Sequence, residues 1–330
     1  MDEQFMRRAI AIAQFGAGKT YPNPLVGAVI VHENKIIGEG FHQYYGGHHA
    51  EVNAVASVGD KSLLKNSTIY VTLEPCSHFG KTPPCAHLMI EHQIKRVVIA
   101  CKDPHTIVNG KGIALLQSEG IDVLEGVCEQ EAFLMNQHFM IAHQKQRPYI
   151  LLKWAESKNG FMDIDRSKTV YEGSYPLSTS LSQLQSHTLR SRFQAIMVGK
   201  NTVLVDNPTL TTRKCYGKNP VRVVVDKDLK IPVSFKIFDT QSSTIIFNNH
   251  KEMDEGHHFY KRIDFSIPIF PQIFQLLYKE YNIISVIVEG GQSVLQQCLD
   301  MGLYDEIVIF QSKDKILKDG GLKSPSKDRF

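Results

Sequence analysis

The stretch that decides the fold is Thr68-Ile69-Tyr70-Val71-Thr72-Leu73-Glu74-Pro75-Cys76, continued by Ser77-His78-Phe79-Gly80-Lys81-Thr82-Pro83-Pro84-Cys85. A run of β-branched and aromatic residues stops at Glu-Pro-Cys, so the first cysteine follows the C-terminal end of a strand. Upstream, His49-Ala50-Glu51 opens a segment whose apolar residues Ala50, Val52, Ala54 and Val55 suit a helix. One imidazole and two thiols form a three-ligand zinc set of His49, Cys76 and Cys85. Such a set leaves the fourth tetrahedral position for water, where a closed structural site would use four protein ligands. Zinc brings the pKa of that water towards neutrality. Glu51 lies two residues past His49 and can move protons without binding the metal. His48 is an alternative ligand, but it stands three residues from Glu51, which favours His49. Eight residues, Ser77 to Pro84, separate the two cysteines. That gap is longer than the two residues of the usual nucleobase-deaminase motif.

The surrounding chain is an ordinary globular one. Its 330 residues are 42% hydrophobic and 22% charged, enough to bury one large core and more readily two. No apolar run approaches the roughly 20 residues of a membrane helix. The acidic start Met1-Asp2-Glu3-Gln4 lacks the basic and apolar regions of a signal peptide, so a cytoplasmic protein is expected. Six scattered cysteines do not make a disulfide framework in a chain this long. Residues 1–146 carry 12 Lys and Arg against 14 Asp and Glu, and the remainder 25 against 20. The mildly basic second half suits anionic ligands but is far from the basic stripe of a nucleic-acid binder.

Spacing predicts helices over 5–15, from His49, over 85–92 and over 112–118, alternating with strands over 26–31, 35–40, 68–73, 96–100 and 121–124. Alternation of this kind argues for a layered α/β domain. The polar segment 142–148 ends in Pro148 and is the expected linker. Beyond it, 149–154, 195–198, 221–226, 243–247 and 285–289 read as strands, with helices over 180–193 and 271–281. Several of these strands are continuous β-branched runs, as in sheets buried on both faces. The polar tail 313–330 is expected to be loosely ordered.

The cysteine loop, together with Pro22-Asn23-Pro24-Leu25-Val26-Gly27, resembles the signature of the bifunctional riboflavin-biosynthesis family, in which a pyrimidine deaminase is fused to a pyrimidine reductase. The resemblance covers roughly residues 1–310. It implies an N-terminal cytidine-deaminase-like three-layer α/β/α domain over 1–146 and a C-terminal dihydrofolate-reductase-like α/β domain over 147–330. It further implies that Asn23 hydrogen-bonds the base, that His42 and His78 line the pocket, and that Lys81 and Thr82 meet a substrate phosphate. A lysine beside backbone N–H groups is a common phosphate clamp.

The second half lacks Gly-x-Gly-x-x-Gly after a strand, so the usual dinucleotide fingerprint is absent. Glu289-Gly290-Gly291-Gln292-Ser293 is a weaker signal: two glycines let backbone N–H groups approach a phosphate at a helix start. Here too the resemblance extends, through His187-Thr188-Leu189-Arg190 and through residues 199–213. It implies that Ala155, Thr202, Asp206, Gly290, Gly291, Gln292 and Ser293 contact NADPH, and that Lys153, Ser174, Arg190, Leu210, Arg213 and Glu289 hold the substrate. By the same resemblance alone, Lys153 and Asp206 are the proton-donor candidates in the reduction, with nothing in the sequence to choose between them. Asn159, Pro176 and the ending after Gln311-Ser312-Lys313 depart from the family pattern, and His105 stands where an asparagine is usual.

The expectation is therefore one catalytic zinc ion, NADPH and a small phosphorylated pyrimidine substrate, in a homo-oligomer without nucleic-acid or membrane partners. The alternative is a deaminase whose C-terminal domain is structural or has lost its reductase activity. A deaminase acting on a flipped base in nucleic acid would need an electropositive surface, which the net −2 of residues 1–146 does not supply.

Overall fold

The structure is a computed structural model that describes residues 1–77, 83–105, 108–318 and 320–326. The chain divides into two compact units, Met1–Lys145 and Gln146–Phe330.

The first unit runs α1 (Asp2–Ala13), β1 (Gly27–His32), β2 (Lys35–Phe41), α2 (Ala50–Ser57), β3 (Thr68–Leu73), α3 (Cys85–Glu91), β4 (Arg96–Cys101), α4 (Lys111–Ser118), β5 (Asp122–Glu125), α5 (Glu129–Met135) and α6 (Gln137–Lys145). Its sheet has the order β2-β1-β3-β4-β5. β1 is antiparallel to both neighbours, whereas β3, β4 and β5 are parallel. Alternation along the strands explains the layers. Ala28, Ile30, Ile69, Val71, Val97 and Ile99 face a core closed by Ala54 of α2, Met89 of α3 and Leu116 of α4. The intervening residues face the other way, and there Tyr70 packs its ring 5.3 Å from that of Phe5 on α1.

The second unit runs β6 (Tyr149–Glu156), β7 (Phe161–Asp163), α7 (Ser180–Arg192), β8 (Ala195–Gly199), α8 (Lys200–Asp206), β9 (Val221–Val225), β10 (Thr244–Asn248), β11 (Met253–Glu255), β12 (His258–Arg262), α9 (Ile269–Lys279), β13 (Ser285–Gly290), α10 (Gln292–Asp300), β14 (Glu306–Gln311) and β15 (Leu322–Lys323). Eight strands form one sheet in the order β11-β12-β10-β9-β8-β13-β6-β14. All its pairings are parallel except β11 with β12. Its central strands β8 and β10 are buried at every residue, which is why they read as unbroken apolar runs. Among the described residues no helix is long and apolar enough to cross a membrane.

Two expectations are corrected. Helix α6 continues to Lys145, so the polar segment 142–148 is mostly helical and the connection shrinks to Gln146, Arg147 and Pro148. Lys145 is consistent with this, because a cation is favourable in a helix's last turn. The tail is not loose as far as it is described. Leu317 is buried with Phe161 and Leu177, and β15 pairs antiparallel with β7. Asn159 fastens the same segment, accepting from Leu317 N–H at 3.0 Å and donating to Leu317 O at 2.7 Å.

Arg222 on β9 is fully buried. Its guanidinium donates to the carbonyls of Thr209, Ile237, Asp239 and Ser242 at 3.0–3.3 Å and to Asp239 Oδ1 at 2.7 Å. Removing it takes a donor from every one of these acceptors, although Ile237 O keeps the Thr244 hydroxyl and Asp239 Oδ1 keeps the Gln241 N–H. Arg222→Ala is expected to destabilise the second unit by about 3 kcal/mol or more. The single tryptophan of the chain, Trp154, is buried in that unit, so its fluorescence in a urea titration reads the effect. A midpoint like that of the wild type would contradict the assignment.

Candidate active sites

Three chain segments meet in the first unit. β3 ends at Leu73 and delivers Cys76 after Glu74-Pro75; α3 begins at Cys85; His49 is the residue before α2. His49 Nδ1 lies 3.2 Å from Cys85 Sγ and 3.6 Å from Cys76 Sγ. The three donor atoms all lie within 4.8 Å of one another. Zinc ligands at tetrahedral angles stand about 3.6–3.8 Å apart, so an Nδ1 and two sulfurs at this spacing fit the ion. His48 contributes only its carbonyl oxygen, which accepts from His42 Nδ1 at 3.0 Å.

The first N–H of α3, that of Cys85, donates to Cys76 Sγ at 3.3 Å. The Cys76 thiol is pulled down to about 4, chiefly by the hydrogen bond from the Cys85 side chain and then by His49, against its own burial. That interaction and burial push Cys85 up. The His49 imidazole rises to about 9 through its bond to Cys76, with Glu51 adding to the effect. Glu51 is 3% exposed, and burial drives its carboxyl upward.

Asn23, His42, His49, Glu51 and Cys76 line one cleft of about 360 Å³. Asn23 Nδ2 lies 3.1 Å from His42 Nε2. With Nδ1–H donated to His48, that Nε2 is the acceptor of a neutral ring. Burial favours the neutral form as well. Glu74, Asp103, His105 and Phe139 also line the cleft and were not among the expected site residues. Glu74 lies in the quoted strand-to-cysteine stretch but is given no role there, and His105 is noted only for standing where an asparagine is usual; Phe139 carries no signal. His78, Lys81 and Thr82 lie outside the described residues.

In the second unit Lys153, Ala155, Ser174, Arg190, Thr202, Asp206, Leu210, Arg213 and Glu289 to Ser293 line one cleft of about 750 Å³. Its centre is a buried ion cluster. Arg190 Nε and Nη2 donate to Glu289 Oε1 and Oε2 at 2.8 and 2.6 Å, and Lys153 Nζ lies 3.5 Å from Oε2. Burial alone would raise the Glu289 carboxyl, but Arg190 and Lys153 outweigh it and hold it at about 2. The glycines are sterically required. A Cβ at Gly290 would stand 2.9 Å from Thr202 Cγ2, and Gly291 has φ +79°. The backbone at the start of α10 thus approaches α8 closely and is left bare towards the cleft, a form that suits a pyrophosphate.

His187, quoted in the sequence for the resemblance but given no role there, is a further lining residue; its Nδ1 is buried without a hydrogen-bond partner. Burial, aided by Arg190 and Arg213, lowers the ring to about 4.

Asp206 is raised from 3.8 to about 6 by burial, with Asp163 adding and Arg166 opposing. A carboxyl raised in the folded state favours folding below its ordinary value, and that contribution is lost as pH rises through about 6. Asp206→Asn, without ligand, is therefore expected to raise the Trp154-monitored melting temperature more at pH 8 than at pH 5. An equal or larger gain at pH 5 would contradict this.

Residues 1–101 match the cytidine and deoxycytidylate deaminase zinc-binding region, and residues 148–312 match the RibD C-terminal domain. The riboflavin biosynthesis protein RibD of Aquifex aeolicus is 39% identical over 326 residues, covering 97% of this chain and 89% of that protein. Its counterpart in Bacillus amyloliquefaciens is 39% identical over 336 residues, covering 99% and 87%. Among solved structures, a diaminohydroxyphosphoribosylaminopyrimidine deaminase/5-amino-6-(5-phosphoribosylamino)uracil reductase from Thermotoga maritima superposes with a TM-score of 0.84 at 39% identity, covering 98% of this chain and 89% of that one. Acinetobacter baumannii RibD gives 0.87 at 31% identity, covering 100% and 91%. The two units are thus a cytidine-deaminase-like fold and a dihydrofolate-reductase-like fold, carrying a zinc-binding deaminase and an NADPH-dependent reductase. The chain belongs to the RibD family of riboflavin biosynthesis proteins.

Proposed function

We propose that this chain catalyses two consecutive steps of riboflavin biosynthesis. The first is hydrolytic deamination of a diaminohydroxyphosphoribosylaminopyrimidine. The second is NADPH-dependent reduction of the ribosyl group of the deaminated product to ribityl. The observation that carries the reading is the pairing, in one chain, of Glu51 beside the His49–Cys76–Cys85 donor set with a separate cleft built around Arg190, Glu289 and the Gly290-Gly291 turn.

In the deaminase, His49, Cys76 and Cys85 would hold zinc, which would supply a Lewis acid that makes water acidic enough to react near neutral pH. Glu51 takes the proton from the attacking water and passes it to the pyrimidine ring nitrogen. It then takes the proton of the new hydroxyl group and gives it to the departing amino group, which leaves as ammonia as the carbonyl forms. Its burial favours a carboxyl that can hold a proton between those transfers. Asn23, with its Nδ2 committed to His42, has Oδ1 left to accept from the base. His78 completes the pocket, and Lys81 and Thr82 meet the substrate phosphate.

In the reductase, Thr202, Asp206 and Gly290 to Ser293 hold the cofactor, with Ala155 beside the nicotinamide; bound NADPH supplies the hydride. Ser174, Arg190, Leu210 and Arg213 hold the phosphorylated substrate. Glu289 acts on the substrate through the two cations it fixes, Lys153 and Arg190. Asn159 and Pro176 do not argue for an inert second domain: Asn159 ties the turn after β6 to Leu317, and the Pro176 carbonyl accepts from Lys315 Nζ.

Incubation of the diaminopyrimidine phosphoriboside with the protein is expected to release ammonia whether or not NADPH is present, and to oxidise NADPH only once ammonia has formed. Ammonia release with no NADPH oxidation would leave a deaminase alone. Glu51→Gln is expected to lower ammonia release by about 10²-fold or more, with zinc content unchanged. NADPH oxidation with the deaminated pyrimidine should proceed as in the wild type. Retained ammonia release would refute the proton role of Glu51.

A further inference from the structure

Glu74 is an acidic residue 4% exposed, two positions before Cys76, and its carboxylate meets backbone instead of a cation. Oε2 accepts from Gly110 N–H at 2.9 Å and from Asp103 N–H at 3.3 Å, and Oε1 accepts from Gly112 N–H at 3.0 Å. Two of these donors belong to the start of α4, whose capping position is Gly110 in the left-handed region with no side chain to offer. The orphan N–H groups of that helix end are thus satisfied by a side chain 36 and 38 positions away. The fit is close: a Cβ at Gly112 would lie 2.0 Å from the Pro75 carbonyl oxygen. On its own side Glu74 is fixed by its N–H, which donates to Cys101 O at 2.9 Å.

The segment held in this way forms one wall of the deaminase cleft. Asp103, His105 and Val108 line it together with Glu51 and Cys76. Asp103 Oδ1 accepts from His105 N–H at 2.8 Å, and His105 O accepts from Val108 N–H at 2.9 Å. The wall is therefore internally bonded, and the Glu74 carboxylate ties three backbone N–H groups of it to the Pro75–Cys76 segment.

We infer that Glu74 is a positioning residue of the deaminase: it clamps the wall bearing Asp103, His105 and Val108 to the segment that carries Cys76. The pyrimidine pocket and the metal-ligating cysteine are thereby held in one register. The inference rests on the deaminase reading above. A charged acceptor with three donors is strong and directional, and losing an acceptor costs more when buried donors are left unpaired. Glutamine keeps the shape but turns an N–H₂ towards backbone N–H groups, so it breaks the clamp with little change in volume.

The test uses the full chain. Glu74→Gln is expected to raise KM for the diaminopyrimidine phosphoriboside about tenfold or more, the size of one charge-assisted hydrogen bond, with kcat within about threefold of wild type. Zinc should stay near the wild-type content, and NADPH oxidation with the deaminated pyrimidine should be unaltered. Amide exchange should quicken at Gly110 and Gly112, while β3 and β4 stay protected. Wild-type KM and exchange would overturn the inference. So would loss of zinc or of the folded unit, which would make Glu74 a general structural residue, and so would a fall in kcat at unchanged KM. If the wild type itself releases no ammonia, the deaminase reading fails instead.

Discussion

Three soft donors on three separate segments must reach one point, and the first unit is arranged around that requirement. Cys76 is fixed by the end of β3, Cys85 by the first turn of α3, and His49 by the start of α2. β3 lies between the antiparallel β1 and the parallel β4, so its exit point has little freedom. α2 must then lie very close to the sheet. A Cβ at Gly40 would stand 2.2 Å from Ala54 N, so only glycine on β2 allows the helix to approach that far. The hydrogen bond from Cys85 N–H to Cys76 Sγ joins the last two ligands before any metal is considered. Glu51, one residue into α2, is carried to the same place and buried there.

The second unit solves a different problem, that of keeping charge inside a cleft. Glu289 is fully surrounded, and its ionisation depends on Arg190 and Lys153 lying on either side. The group gives the cleft floor a net positive excess, suited to an anionic substrate, without leaving a lone buried charge. The bare backbone at Gly290-Gly291 supplies the complementary element, N–H groups in place of a cation. Arg222, behind the cleft, holds the carbonyl of Thr209 in place from within the core.

Much of this was legible because it is local. His-Ala-Glu at a helix start, Pro-Cys after a strand and Gly-Gly before a helix each declare themselves within a few residues. What escaped was set by partners far along the chain. Glu74 reads as an ordinary charged residue, because the N–H groups it binds lie 29 to 38 positions downstream. The tail reads as loose because it is polar, yet one apolar residue, Leu317, and a short pairing with β7 suffice to dock it. β12 is largely polar, His-Phe-Tyr-Lys-Arg, and its pairing with β10 and β11 is what makes it a strand. The segment 142–148 shows the converse failure: polar residues on an exposed helix end resemble a linker until the backbone is seen.

The central claim is an open zinc site with three protein ligands. X-ray absorption at the zinc edge of the purified full chain tests it most directly. The account predicts two sulfurs at about 2.3 Å with one imidazole nitrogen and one further light atom at about 2.0–2.1 Å. Cys85→Ser should reduce the sulfur count to one. A shell of four protein ligands, or one without sulfur, would contradict it.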